Sequence, residues 1–456
     1  KNSSLITDFG ITNGYKSSTT HKSKNINHFF GKLQKKLKLK NFFKSDFNFF
    51  IERVSKDTYL KIFQDNLSHS KIKPANPDLL NSGFDFELEN KKFYVTGGAN
   101  VYENLTKLQS DRYQYVLPYY DLTYNPILTN YGTVNLTSNG NNIIDNTNNQ
   151  KSRIINNINF KTNDKIFENF GIKNNFNLYL KNLNSIGKNV SNYKSSPQIE
   201  LQSLFEFNSE LPLIKKFNQD LEIIIPRLSL RINPGDMKNH SDAERKINTE
   251  NIFDINRLGI NDSFETGNSL TFGIDYKKEN IENEKYFELK LSSVFRDNEE
   301  ENIPNQTSLN KKNSDLFGSM DYKFSEILSI DYNFAVDNKI ERFNYNSIGL
   351  NLSLNNFVTE FNFIEEDSLT GNTNIFENTS TYNFNNQNSI KFQTRRNREV
   401  DLTEYYNLVY EYKNDCLTAG LKFNKTYYED RDLKPSENIM FTISFYPITS
   451  VDQKFK

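Results

Sequence analysis

Asp254, Arg257, Asp262 and Glu265 lie close together in the segment NIFDINRLGINDSFETGNSLTFGIDY (Asn251–Tyr276), separated by Gly259 and followed by Gly267. A pair of carboxylates such as Asp262 and Glu265 is the equipment of glycoside hydrolysis, one acting as acid and the other as base or nucleophile. Nothing else in the chain resembles a sugar-cleaving site. The economical reading is structural: the charges satisfy one another and pin a loop between two strand-like segments, since an unpaired buried charge is costly. No catalytic residue is assigned, and no enzyme activity is expected.

Metal and redox chemistry have little to build on. The four histidines, His21, His28, His69 and His240, lie too far apart in sequence to form a metal motif, and the single cysteine, Cys416, excludes an internal disulfide framework and a zinc cluster. The expectation is no metal and no cofactor. A formal net charge of −1 gives no global basic field, so nucleic acid is not an expected partner.

The elements that carry these residues follow from composition and period. Across 456 residues only 36% are hydrophobic and 25% are charged, with a mean hydropathy of −0.72. Such values point towards disorder, but 38 Phe and 25 Tyr point away from it. A membrane barrel reconciles the two, because only one face of each strand need be apolar. No run of apolar residues is long enough for a spanning helix, so a membrane protein of this sequence crosses as strands.

Alternation supports strands throughout. Leu328, Ile330, Tyr332, Phe334 and Val336 alternate with polar or small residues, as do Ile348, Leu350, Leu352 and Leu354. The same period runs through Phe176–Leu180, Phe287–Leu291, Tyr406–Tyr412 and Phe441–Phe445. A soluble β-sandwich also alternates. The persistence of the polar face, the spacing of the segments and the flanking Phe and Tyr favour a barrel in lipid. The expected fold is therefore all-β: a large antiparallel transmembrane β-barrel of about 20–26 strands, one domain over residues 1–456. Long loops are expected at Asn130–Arg153, Asn233–Asn256, Asp297–Ser314 and Glu365–Ser380, the first as a mobile exterior loop because it is rich in Asn and Gly and lacks apolar anchors.

With these residues in view, the chain resembles the barrel domain of the LPS-assembly outer-membrane protein (LptD, organic solvent tolerance) family. Asn256-Arg257, Gly259, Asp262, Glu265 and Gly267 fall on that family's signature loop. NHFFGKLQKKL (Asn27–Leu37) with FIERVSKDTYLKIF (Phe50–Phe63), YVLPYYDLTY (Tyr115–Tyr124) and the tail Asn414–Ile448 resemble its other barrel segments. Ser263 departs from the pattern where many members carry Arg, and one extra residue sits between Gly259 and Glu265.

The resemblance implies translocation of lipopolysaccharide into the outer leaflet of a Gram-negative outer membrane. Its glycan would pass through a polar lumen, and its acyl chains through a seam between first and last strands. It also implies a lipoprotein plug (LptE-like) in the lumen and a periplasmic bridge protein that meets an N-terminal jellyroll absent from this sequence. On that reading the charged loop guides the lipid head group. Cys416 matches the region of an interdomain disulfide, and Arg395, Arg396 and Arg398 are candidate phosphate contacts or a solvated strand end. Pro447, with no N–H to donate, either weakens the closing seam or merely ends a strand. The competing expectation is a porin or a plugged, energy-coupled receptor barrel.

Overall fold

The computed structural model describes residues 2–15, 24–64, 66–108, 111–280, 282, 285–367, 371–427, 434–445 and 449–455. Among them are 26 β-strands and one short α-helix, Tyr59–Ile62. The expected all-β, antiparallel class and strand number are those observed. No helix among the described residues is long and apolar enough to cross a membrane. Pro447 lies outside the described residues.

The chain divides into two compact units, one built mainly of residues 1–163 and 177–205, the other of 164–176, 206–429 and 434–456. In the first, strands from Ser3–Tyr15 to Asn149–Thr162 follow one another as an antiparallel meander. In the second, the meander runs from Asp220–Asn233 to Thr449–Phe455 without a crossover. Neighbouring strands are joined by turns of a few residues or by longer connections such as 55–78, 234–266 and 297–315, and successive side chains point to opposite faces.

These faces are inverted relative to a water-soluble protein. In the strand Ile172–Lys188, Phe176, Leu178 and Leu180 are 42%, 41% and 40% exposed, whereas Asn177, Lys181 and Ser185 are 3%, 5% and 6% exposed. The same sense holds for Phe272 and Ile274 against Ser269 and Thr271, and for Phe295 against Val294 and Arg296. Strands therefore carry an exposed apolar face and a covered face rich in polar groups.

In the second unit the covering comes from long connections. Residues 234–266 and 297–315 fold onto the polar face and share a dry core of Met237, Ile247, Ile252, Leu258, Ile260, Ile303 and Leu309 against the strand residues Val294, Phe317 and Ala335. Phe253 packs on the same core, close over Gly273. A Cβ at Gly273 would lie 2.7 Å from the Phe253 ring, so the strand needs glycine there for the loop to seat. In the first unit the Tyr59–Ile62 helix does the same, placing Tyr59 and Leu60 against Ile26, Phe30 and Leu80. Tyr59 Oη lies 2.8 Å from His28 Nδ1, and His28 Nε2 lies 3.2 Å from Asp8 Oδ1.

Two loop expectations are corrected. Asn130–Arg153 is not a mobile loop: it contains the whole strand Gly132–Asp145 and the start of Asn149–Thr162. Through Ser138 it joins a row of amides and hydroxyls that runs across neighbouring strands. Tyr120 Oη is 3.1 Å from Ser138 Oγ, Ser138 donates to Asn156 at 2.7 Å, and Asn156 and Asn184 both donate to Asn182 Oδ1, at 3.1 and 2.7 Å. This row lies on the same face as Leu178, Leu180, Ile154 and Ile158, interrupting it with a self-satisfied polar line. Half of Glu365–Ser380 likewise belongs to the strand Thr373–Asn383, and its first two residues to Phe357–Glu366, whereas 234–266 and 297–315 are connections, the first longer than expected.

The dry core under residues 234–266 is what holds that segment to the strands. Ile252→Ala should cost about 2–5 kcal/mol through the cavity it leaves. Chemical denaturation would register the loss, and hydrogen exchange should quicken first between residues 234 and 266; unchanged protection there would refute this anchoring.

Candidate functional site

Three adjacent strands of the second unit bring a row of polar side chains beneath the folded loop. Arg231 pairs in register with Ser269, and Ser269 with Arg296, so two guanidiniums stand two strands apart on one face. The gap is filled from above by Glu265, at the end of the loop, just before Gly267 enters the next strand. Gly267 has a φ of +76°, the left-handed turn that glycine adopts without strain. A Cβ there would also sit 2.7 Å from Glu300 Oε1.

Glu265 binds Arg257 as a fork, accepting from Nε and Nη2 at 2.6 Å each. Arg257 spends its remaining donors on Ile252 O (3.2 Å), Thr271 Oγ1 (2.8 Å) and Ser269 Oγ (3.0 Å). Arg296 donates to the same carboxylate and to the Thr266 carbonyl. Arg231 stands 3.8 Å from Glu265 Oε2. It donates to Glu206 Oε1 through Nε at 3.0 Å and to the carbonyls of Phe253 and Asp254 at 2.9 and 2.8 Å. All three arginines and both glutamates are buried.

Burial alone would raise the Glu265 pKa, but the guanidiniums around it, Arg257 foremost, hold it well below the usual carboxylate range. The cluster carries three cations against two anions. Carbonyls of the loop, whose dipoles point at the guanidiniums, supply the remaining negative potential. Chemically this is a lock. Every charged group is engaged with another or with backbone, and no carboxylate of the cluster is placed to act as acid or base.

The charged residues read from the sequence separate on folding. Arg257 and Glu265 form the centre. Asp262 is buried, with Oδ1 3.0 Å from His240 Nε2. Asp254 is exposed and contributes only its carbonyl to Arg231. Asn256 caps the turn, its Oδ1 accepting from the Ile260 N–H at 2.9 Å, and Gly259 takes the left-handed conformation at φ +68°. The Ser263 hydroxyl accepts from the Lys238 N–H at 3.1 Å.

Elsewhere Arg395 is paired with Glu377 at 3.3 Å and Glu404 at 3.0 Å, and Arg396 with Asp401. Arg398 lies exposed in the turn that follows. These three do not form one phosphate clamp. Cys416 is an exposed free thiol in the turn before Leu417. Arg231, Arg296 and Glu206 were missed by sequence reading. Their only signal is the alternation Arg227–Ser229–Arg231 on a strand and an Arg at a strand end, neither of which names a partner.

No protein-family model matches the chain, and no curated protein does. Among solved structures it is similar to the siderophore receptor PirA from Acinetobacter baumannii, with 7% identity over 97% of this chain and 74% of that one, at a TM-score of 0.33. It is similar to a mutant ferric enterobactin receptor, PfeA, from Pseudomonas aeruginosa in complex with enterobactin (8%, 100% and 75%, TM-score 0.36). A mutant Rh. blastica porin is similar over 67% of this chain and 91% of its own, at 10% identity and a TM-score of 0.22. Likeness at these TM-scores carries no functional argument.

The expected membership of the LPS-assembly family is corrected, since no family model, that family's included, matches the chain. Lipopolysaccharide, the lipoprotein plug and the periplasmic bridge protein are withdrawn with it. The motifs that carried the resemblance have a local cause. Alternating strands with Asn, Asp and Gly between them arise from strand period and turn chemistry, and the Arg257–Glu265 spacing arises from a loop lock.

The lock has a pH signature. A carboxylate whose pKa is depressed on folding contributes stability that is fully present above the ordinary carboxylate range, about 4.3, and is lost as pH falls through its folded value. Acid unfolding should therefore steepen below about pH 4. Glu265→Gln should remove that dependence and destabilise by about 3–5 kcal/mol at neutral pH, because three buried guanidiniums lose their shared partner. Parallel pH titrations of denaturation would show it, and a variant as stable as wild type at pH 7 would disprove the lock.

Proposed function

We propose that this chain is an outer-membrane β-barrel that passes polar solutes and is partly occluded by its own folded connections, a receptor or gated-porin type of transporter. The observation that carries the reading is the inversion of exposure along the strands. In water, Phe176, Leu178, Phe272 and Ile274 would be covered and Asn177, Lys181, Ser269 and Thr271 exposed; the reverse is found. Hydrocarbon is the solvent that rewards this arrangement, and antiparallel strands satisfy their backbone there without water.

Connection lengths support the same reading. In the second unit the connections 234–266 and 297–315, with 337–342, lie at one end of the strands. The turns 218–219, 324–327, 355–356 and 414–416 lie at the other. Outer-membrane barrels place short turns towards the periplasm and longer loops outside. The shared dry core of the two longest connections makes them a fitted plug, so passage requires them to shift. Transport of this kind needs no covalent step.

Reconstitution into planar bilayers tests the proposal. The wild type should insert and conduct weakly, and Glu265→Gln should raise conductance by loosening the plug. Ile274→Arg, on the exposed apolar face, should cost about 2–4 kcal/mol in urea unfolding from lipid vesicles. A protein that stays in aqueous solution without detergent, or that tolerates Ile274→Arg freely, would overturn the reading.

A further inference from the structure

At the end of the first unit opposite the Tyr59–Ile62 helix, three connections are laced together: 37–43, 90–92 and 125–131. Leu37 N–H donates to Ser45 O at 2.7 Å and Leu39 N–H to Ser45 Oγ at 3.1 Å, closing the first on its own strand. Phe43 N–H donates to Glu89 O at 3.1 Å, which ties the first to the second. Asn125 donates to Lys92 O through its backbone at 2.7 Å and to Lys91 O through its side chain at 2.8 Å, which ties the second to the third. The Phe42 and Phe93 rings meet edge-on at 6.1 Å. These bonds make a formed rim.

Charge on the rim is divided by face. Lys36 stands in register with Asp46, Asp46 with Glu87, and Lys44 with Glu89, on the polar face that carries His28. Lys44 also pairs with Glu87. The rim's carboxylates are thus spent on that face. On the lipid face Lys35 follows Leu33, in register with Ser3 and Phe47, and the turns add Lys38, Lys40, Lys91 and Lys92, all exposed. None of these five pairs with a carboxylate among the described residues. Between them Leu37, Leu39 and Phe43 are exposed, the last at 65%, with Leu128 at 80% in the third connection. Water penalises such apolar groups and hydrocarbon penalises ammonium groups. The boundary between the two suits both, because a lysine stem lies along apolar surface while its head reaches out.

We propose that this rim binds the phosphate head groups of anionic phospholipid, with Leu37, Leu39 and Phe43 set at the acyl boundary beneath the five lysines. The proposal rests on the outer-membrane barrel reading, under which the leaflet at this end faces the periplasm. Unmatched lysines at a membrane surface attract anionic lipid. A strand from another protein is the poorer occupant. At this end Lys24–Lys36 and Lys44–Val54 are already paired along both edges, which leaves neither free to accept one.

The chain has no tryptophan, so Leu39→Trp and Ile274→Trp, made separately in the full chain, each introduce one fluorophore. Each variant is reconstituted in phosphatidylcholine vesicles holding brominated phosphatidylcholine or brominated phosphatidylglycerol, whose bromines quench on contact. Both lipids should quench Ile274→Trp alike. For Leu39→Trp the anionic lipid should out-compete the zwitterionic one by about fivefold or more, and high salt should erase the preference. Replacing Lys35, Lys38, Lys40, Lys91 and Lys92 together by Gln should bring the two lipids to parity. Lys71→Gln with Lys73→Gln, exposed at the opposite end, should leave the preference intact. Equal quenching of Leu39→Trp by both lipids, or none, would overturn the proposal, as would a preference that survives the five substitutions or vanishes with the two. Saturable binding of a poly-glutamate peptide to the chain in phosphatidylcholine alone would assign the rim to an acidic protein instead. Absence of quenching in Ile274→Trp would remove the barrel reading beneath, whatever Leu39→Trp shows.

Discussion

One carboxylate, Glu265, faces three guanidiniums, and the arrangement of the second unit's largest connection depends on that meeting. Arg231 and Arg296 are fixed by the sheet, two strands apart on one face with Ser269 between them. Two like charges so placed repel; Glu206, on a neighbouring strand, offsets Arg231, and the anion that reaches Arg296 comes from outside the sheet. The loop delivers it, together with Arg257, whose fork consumes both carboxylate oxygens. The chain between residues 234 and 266 must then lie flat on the polar face. Its apolar residues Ile247, Ile252, Leu258 and Ile260 find Val294 and Phe317 as a consequence.

The two units solve a shared problem with different chemistry. Each has a polar strand face that a connection covers, and each connection brings both an apolar cluster and a polar clasp. In the second unit the clasp is ionic. In the first it is the chain Asp8–His28–Tyr59, with His28 stacked on Phe30 at 4.5 Å between ring centres. Gly10 sits opposite His28, where a Cβ would come within 2.5 Å of the imidazole. A side chain is omitted there for the same reason as at Gly273: a ring from a neighbouring segment occupies its place.

Much of the fold was legible because the strand period is short and insensitive to partners. Tyr406, Leu408 and Tyr410, or Ile348 and Leu350, announce a strand with two unlike faces without any knowledge of what lies beside them. Tertiary pairing has no such signature. Arg257 and Glu265 could be read as mates because they are near in sequence; Arg231, Arg296 and Glu206 could not, since only the register of four strands brings them together. Asn130–Arg153 was misread for a related reason. Asparagine has low strand propensity alone, yet Asn156, Asn182 and Ser138 form a ladder once their strands are adjacent. The family resemblance failed because it weighed motifs whose parts each have a local physical origin.

That ladder of amides has a wider meaning for a chain so poor in oily residues. Each amide that spends its donor on a neighbour presents less unsatisfied polarity to its surroundings, so a whole row weighs far less than the sum of its members. Hydropathy summed residue by residue counts every such group at full strength and so overstates how much the wall prefers water. A genome biased towards asparagine codons can in this way still furnish a surface that fat tolerates.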